Sequence, residues 1–141
     1  MQSRAQALLD RMVTFATRAS ILARGARSEV GGDHVAKQMV RSASSAAANY
    51  AEACDAESRA DFVHKLRIGL KELRETSVWL RVINGLRESG ECQALITECN
   101  ELIAIMVASA KTAQAGISNP QSQSPFATRK SRLADRHSPN R

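Results

Sequence analysis

Between Phe62 and Ile83 the residues Phe62, Leu66, Gly69, Leu73, Thr76, Leu80 and Ile83 recur at alternating steps of four and three. A 3.5-residue repeat held over three heptads sets all seven on one edge of a helix. Such an edge is buried only against helices that run nearly parallel to it. The chain is therefore committed to helix-on-helix packing.

Three further stretches carry the same kind of pattern. Leu8, Met12, Phe15, Ala16, Ala19, Leu22 and Ala23 mark a helix from about Arg4 to Ala23. Val35, Met39, Ser42 with Ala43, Ala46, Tyr50 and Ala53 mark a second from about Asp33, read as its N-cap, to Ala53. Leu95, Ile96, Cys99, Leu102, Ile103, Met106, Val107 and Ala110 mark a last one from about Glu91 to Gln114. Gly25 and Gly31-Gly32 break the first pattern, Asp55-Ala56-Glu57 the second, and Gly85 with Ser89-Gly90 the third. Ser58, with Asp61 three residues on, resembles a capping box for the third helix. The run Ala43-Ser44-Ser45-Ala46-Ala47-Ala48 has no bulky side chain, so a neighbouring helix can approach closely there. Four amphipathic helices on short turns predict an all-α, antiparallel up-down-up-down bundle over residues 1–116. Residues 117–141, rich in Ser, Pro, Gln and Arg, read as a disordered basic tail.

The net charge of +6 points to an anionic partner, but its distribution matters more than its sum. Arg129, Lys130, Arg132, Arg136 and Arg141 face a single acid, Asp135, in the tail, which leaves the bundle only +2. The three cysteines, Cys54, Cys92 and Cys99, form no CxxC pair and read as free thiols of a cytoplasmic protein. The first residues lack an uninterrupted apolar core, so no signal peptide is expected, and no run approaches the ~18 apolar residues of a membrane span.

Catalytic chemistry finds no foothold in the pattern. A di-metal bundle needs Glu-x-x-His on two helices, and none of His34, His64 and His137 provides it. No glycine-rich phosphate loop occurs, and Ser42, Ser44 and Ser45 have no His partner nearby. No catalytic residue, metal or cofactor is predicted. More distinctive are polar groups beside the core: Asn49 with Glu52 on the second helix, and Glu72 with Glu75 on the third. Three-residue spacing sets each pair on one face, where it can meet a cation or amide of a facing helix or simply water. Arg74, between Glu72 and Glu75, points to another face. Trp79 lies on a line with Ile68, Glu72, Glu75 and Val82, a second, partly apolar stripe beside the seam that predicts a second packing neighbour.

Gln38-x-x-Arg41-x-Ala43-x-Ser45-x-x-x-Asn49-x-Ala51-Glu52, then Ser58, Phe62 and Leu66-Arg67-Ile68-Gly69-Leu70-Lys71-Glu72-Leu73-Arg74-Glu75-Thr76-x-x-Trp79-Leu80, resembles the bacterial four-helix bundle family also described as large-subunit ribosomal RNA intervening-sequence proteins. The resemblance covers roughly residues 5–112. It implies a homo-oligomer of five subunits and no enzymatic activity. It also implies a fold similar to the accessory protein of diversity-generating retroelements, which binds nucleic acid and a reverse transcriptase. In that light Asn49, Glu52, Glu72, Glu75 and Trp79 are structural or assembly positions. Where many members carry Gly and basic residues after the motif Glu, this chain reads Ala53-Cys54-Asp55-Ala56-Glu57, which argues against a phosphate-binding turn there.

Two functions are compatible with these features. One is RNA or DNA binding by phosphate contacts from Lys37, Arg41, Lys65, Arg67, Lys71 and the tail residues Arg129, Lys130 and Arg132. With 4% aromatic residues, base stacking is a poor option. The other is a protein-interaction adaptor, for a reverse transcriptase or another mobile-element protein, with no direct nucleic-acid role.

Overall fold

In the computed structural model, which describes residues 1–118, four helices follow one another without strands. They are α1 (Arg4–Ala26), α2 (Gly32–Cys54), α3 (Arg59–Leu86) and α4 (Gly90–Ser118). Cross-helix pairs run in opposite order along each neighbouring pair of helices. Ser42 meets Thr76 and Glu52 meets Lys65 between α2 and α3, while Arg11 meets Glu98 and Arg18 meets Glu91 between α1 and α4. The bundle is thus the antiparallel up-down-up-down arrangement. Its most extensive contact joins α2 to α3, and α1 touches α4 least among adjacent helices.

Local chemistry sets the ends. Ser3 and Ser58 cap α1 and α3 through their hydroxyls, which accept from Gln6 N and Asp61 N at 3.1 and 3.0 Å. Ser89 caps α4 in the same way, accepting from Cys92 N at 3.0 Å, so it opens the fourth helix rather than merely closing the third. Asp33 is not the cap of α2. Gly31 takes that place with φ of 75°, a conformation open to glycine, and Asp33 is the second residue of the helix's first turn, paired with Arg27 and Lys37. Gly25 and Gly85 stay inside helices, so α1 runs one turn longer than its apolar pattern, and α4 runs on to Ser118.

The seam of α3 is buried as its spacing requires, with Leu66, Leu73, Thr76, Leu80 and Ile83 all at the core and Phe62 half-buried. Met12, Phe15 and Ala19 of α1, Met39, Ala43 and Ala46 of α2, and Leu95, Cys99, Leu102 and Met106 of α4 meet it. The small-residue stretch of α2 does let α3 in closely. A Cβ placed on Gly69 would lie 3.4 Å from the Ala46 carbonyl oxygen and 3.1 Å from the Met106 methyl carbon. At the centre of that contact the buried hydroxyls of Ser42 and Thr76 lie 2.8 Å apart. Cys92 and Cys99 are buried, and their thiols donate to the carbonyls of Leu80 and Leu73 on α3 at 3.3 Å each. Cys54 is half-buried.

Among the described helices α4 alone is long and apolar enough, by length and composition, to cross a membrane. No unbroken apolar run marks it in the sequence, because Glu91, Glu98 and Glu101 interrupt its apolar residues. The apolar stripe of α4 from Cys92 to Met106 is packed against the other helices, and Glu98 and Glu101 bind Arg11 of α1.

Candidate nucleic-acid interface

Helical periodicity gives α3 two exposed flanks, one toward α2 and one toward α4, and the predicted residues divide between them. On the α2 side Arg41 reaches across the contact. Its Nη2 donates to Glu75 Oε1 at 2.6 Å, and its Nη1 lies 3.3 Å from Glu72 Oε2, close enough for charge attraction but not aligned for a hydrogen bond. Trp79 Nε1 donates to the same Glu75 oxygen at 3.2 Å, and the Trp79 ring stands edge-on to His34 of α2. The Arg41 hydrogen bond, with help from Trp79, holds the Glu75 carboxyl below its ordinary pKa. The stripe through Glu72 and Trp79 is therefore partly occupied by α2 of the same chain. Lower on this flank Lys65 binds Glu52 at 2.7 Å, whereas Asn49 turns back to its own helix and donates to the Ser45 carbonyl at 2.9 Å.

Lys37 and Arg41 also line a shallow groove of about 500 Å³ between α1 and α2, with Arg24 and Arg27. Its charge is largely answered inside the protein. Asp33 takes both Lys37, at 2.9 Å, and Arg27, at 3.0 Å, and its carboxyl is correspondingly held below the ordinary range, first by the Lys37 hydrogen bond. Of the bundle residues predicted to touch phosphate, Lys37, Arg41 and Lys65 thus enter ion pairs with carboxylates.

The opposite flank differs in kind. Arg67, Leu70 and Arg74 of α3 and Val107, Ala110, Lys111 and Gln114 of α4 line a groove of about 330 Å³. Arg67 donates to the neutral Gln114 side chain at 3.4 Å. Lys71, one turn from both Arg67 and Arg74, is exposed, and so is Arg81, seven residues beyond Arg74 in the same register. None of Arg67, Lys71, Arg74, Arg81 and Lys111 makes an ion pair with a described residue. Apart from Asp61 in the first turn of α3, the acids of α3 and α4 are drawn elsewhere: Glu72 and Glu75 to Arg41, Glu91 to Arg18, Glu98 and Glu101 to Arg11. Five cations on one face without a carboxylate among the groove-lining residues can hold a line of anions, and phosphates are the natural match.

Of the residues read from the sequence as phosphate contacts, Arg67 and Lys71 lie on this flank, beside Arg74, Arg81 and Lys111, which that reading does not include. The signal was available, since Arg67, Arg74 and Arg81 repeat at seven, the same period as the seam they flank. Arg129, Lys130 and Arg132 lie outside the described residues. Among the described residues no three metal-ligating side chains converge.

A family model described as 23S rRNA-intervening sequence protein matches residues 9–108 of the chain. A crystal structure from Bacteroides thetaiotaomicron VPI-5482, of a protein of unknown function from the S23 ribosomal protein family, has a TM-score of 0.65 and 30% sequence identity, covering 74% of this chain and 98% of that one. No curated protein matches significantly.

Proposed function

Because the chain belongs to the 23S rRNA-intervening sequence protein family, a family matched here without an assigned activity, we propose that it is a non-enzymatic, self-associating helical scaffold of the cytoplasm that holds RNA or DNA by its phosphates. The observation that carries this reading is the α3/α4 face, where Arg67, Lys71, Arg74, Arg81 and Lys111 stand without ion pairs while the cations of the other flank are neutralised. The tail arginines add four net charges and would extend the same sequence-tolerant contact. Self-association is supported by α3 itself. Val82 and Leu86 are 38 and 42% exposed at one-turn spacing beside half-buried Trp79, an apolar strip that a second subunit would cover. A pentamer is the count that the family resemblance suggests.

The test is fluorescence anisotropy of a labelled oligonucleotide across a salt series, together with light scattering for mass. Binding that weakens steeply between 50 and 200 mM salt, by a protein several times the mass of one chain, is the expected result. Binding that ignores salt, or none at 50 mM, would refute the nucleic-acid reading. The same apolar strip supports an adaptor as the second reading, docking a protein such as a reverse transcriptase. A monomeric protein without nucleic-acid affinity that captures such a partner through Val82 and Leu86 would favour it.

A further inference from the structure

Resting on that reading, the geometry of the α3/α4 face points to a narrower ligand: we propose that it grips the phosphate backbone of a double-stranded nucleic acid in preference to a single strand. Three observations carry this. Arg67, Arg74 and Arg81 are spaced two turns apart along one helix, so with Lys71 they form a straight comb of charge about 21 Å long, and Lys111 of α4 broadens it on the groove side. The comb is held by a packed helix whose opposite edge is the core seam, so the spacing of the residues that carry its charges is fixed by the backbone. A duplex presents its phosphates at fixed positions and at one charge per ~1.7 Å of axis, so such a comb meets it without ordering the ligand.

The third observation concerns what the face lacks. Single-strand binders that ignore sequence stack bases on aromatic rings. Among the described aromatics Phe15 and Tyr50 are buried, Trp79 is engaged with His34 and Glu75 on the α2 flank, and Phe62 is half-buried on the seam. Between the cations the face offers Leu70, Val78 and Val107, which have no ring to stack on. Charge without stacking leaves affinity to counterion release, and that term favours the duplex at about 0.9 against about 0.7 ions released per contact.

For five contacts per bundle the logarithmic salt slope is about −4.5 on a duplex and about −3.5 on a single strand. If the two lines meet near 1 M salt, the duplex binds about 20-fold tighter at 50 mM and about 5-fold tighter at 200 mM. The decisive experiment measures anisotropy of the full chain on labelled 20-base-pair RNA and DNA duplexes and on the matching single strands, between 50 and 400 mM salt. The triple variant Arg67→Gln, Arg74→Gln, Arg81→Gln, checked for unchanged helix content by circular dichroism, should reduce the duplex slope of the full chain by about 2.7, the share of three lost contacts. Lys37→Gln, on the neutralised groove, should leave the slope as it was. The two duplex arms tell A-form from B-form preference within the same phosphate chemistry. Single strands binding as tightly as duplexes, or a slope unmoved in the triple variant, would overturn this inference while leaving nucleic-acid binding in place. Absence of binding in every arm would overturn both.

Discussion

The hydroxyl pair at the middle of the α2/α3 contact yields a sharp energetic prediction. Ser42 Oγ and Thr76 Oγ1 lie 2.8 Å apart, Thr76 Oγ1 is 2.8 Å from the Glu72 carbonyl, and Ser42 Oγ is 3.2 Å from the Met39 carbonyl. Two hydroxyls own two protons, so two of these three contacts are filled at once, and the 2.8 Å link between the helices is made whenever either hydroxyl turns from its own helix's carbonyl to the other hydroxyl. Ser42→Ala leaves Thr76 free to donate to Glu72, and Thr76→Val leaves Ser42 free to donate to Met39. Each single change therefore loses one buried hydrogen bond without stranding a donor, at a cost of about 1 kcal/mol. The double variant removes both protons, but the Glu72 and Met39 carbonyls keep their own helical N–H partners, so beyond the interhelical bond it gives up only a weak back-bond and sets methyl against methyl, and it too should cost no more than about 1 kcal/mol. The cycle then shows a coupling energy of about 1 kcal/mol, which for a bundle of this size moves the melting temperature by about 3–5 °C. Urea unfolding of the four proteins at constant m-value measures it. Singles that add to within ~0.3 kcal/mol would mean the hydroxyls act independently and the interhelical bond contributes nothing.

Other consequences follow from the same packing. Leu73→Ala, at a fully buried seam position facing α4, should cost about 2–5 kcal/mol in urea unfolding, and a loss near zero would contradict the seam. Glu75 has its folded pKa below its ordinary 4.5, chiefly through Arg41, so its contribution to stability is complete above pH 4.5 and is lost as pH falls through the lower folded value. Arg41→Gln should therefore lower the melting temperature at pH 7, and the gap from the parent protein should narrow in melts taken progressively below pH 4.5. Burial pushes the Cys99 thiol up to about 12 and also raises Cys92 and Cys54. A chromogenic disulfide reagent at pH 8 should modify Cys92 and Cys99 only after denaturant is added, and their rapid native reaction would refute the packing of α4.

The division of the α3 flanks shows how far the sequence could be read. Glu72 and Glu75 stood out by their three-residue spacing, and the cation expected to answer them proved to be Arg41. Asn49 was singled out by the same spacing rule, yet its amide serves its own helix at Ser45, because an asparagine inside a helix can reach the carbonyl four residues back. Asp33 looked like a cap by residue type. The preceding Gly31 adopts a left-handed backbone and takes that place, which freed the carboxylate to bind Arg27 and Lys37.

What the sequence determined by itself was the number of helices, the seam each one buries and the antiparallel order. These follow from periodicity and short turns, and both are local properties of the chain. Which cations remain available was decided only by tertiary structure. Arg41 and Arg74 are both helix-borne arginines beside a seam, and nothing in their own neighbourhoods separates a neutralised group from an exposed one. The difference lies in what the facing helix brings. The α2/α3 contact sets Arg41 against Glu72 and Glu75, and the α1/α4 contact draws Glu91, Glu98 and Glu101 to Arg18 and Arg11. These acids, like Asp33 beside Arg27 and Lys37 at the α1/α2 groove, lie on the other faces of the bundle, leaving the one between α3 and α4 basic. Charge pairing is a distance-dependent property of neighbours in space, and helix order and rotation set those distances.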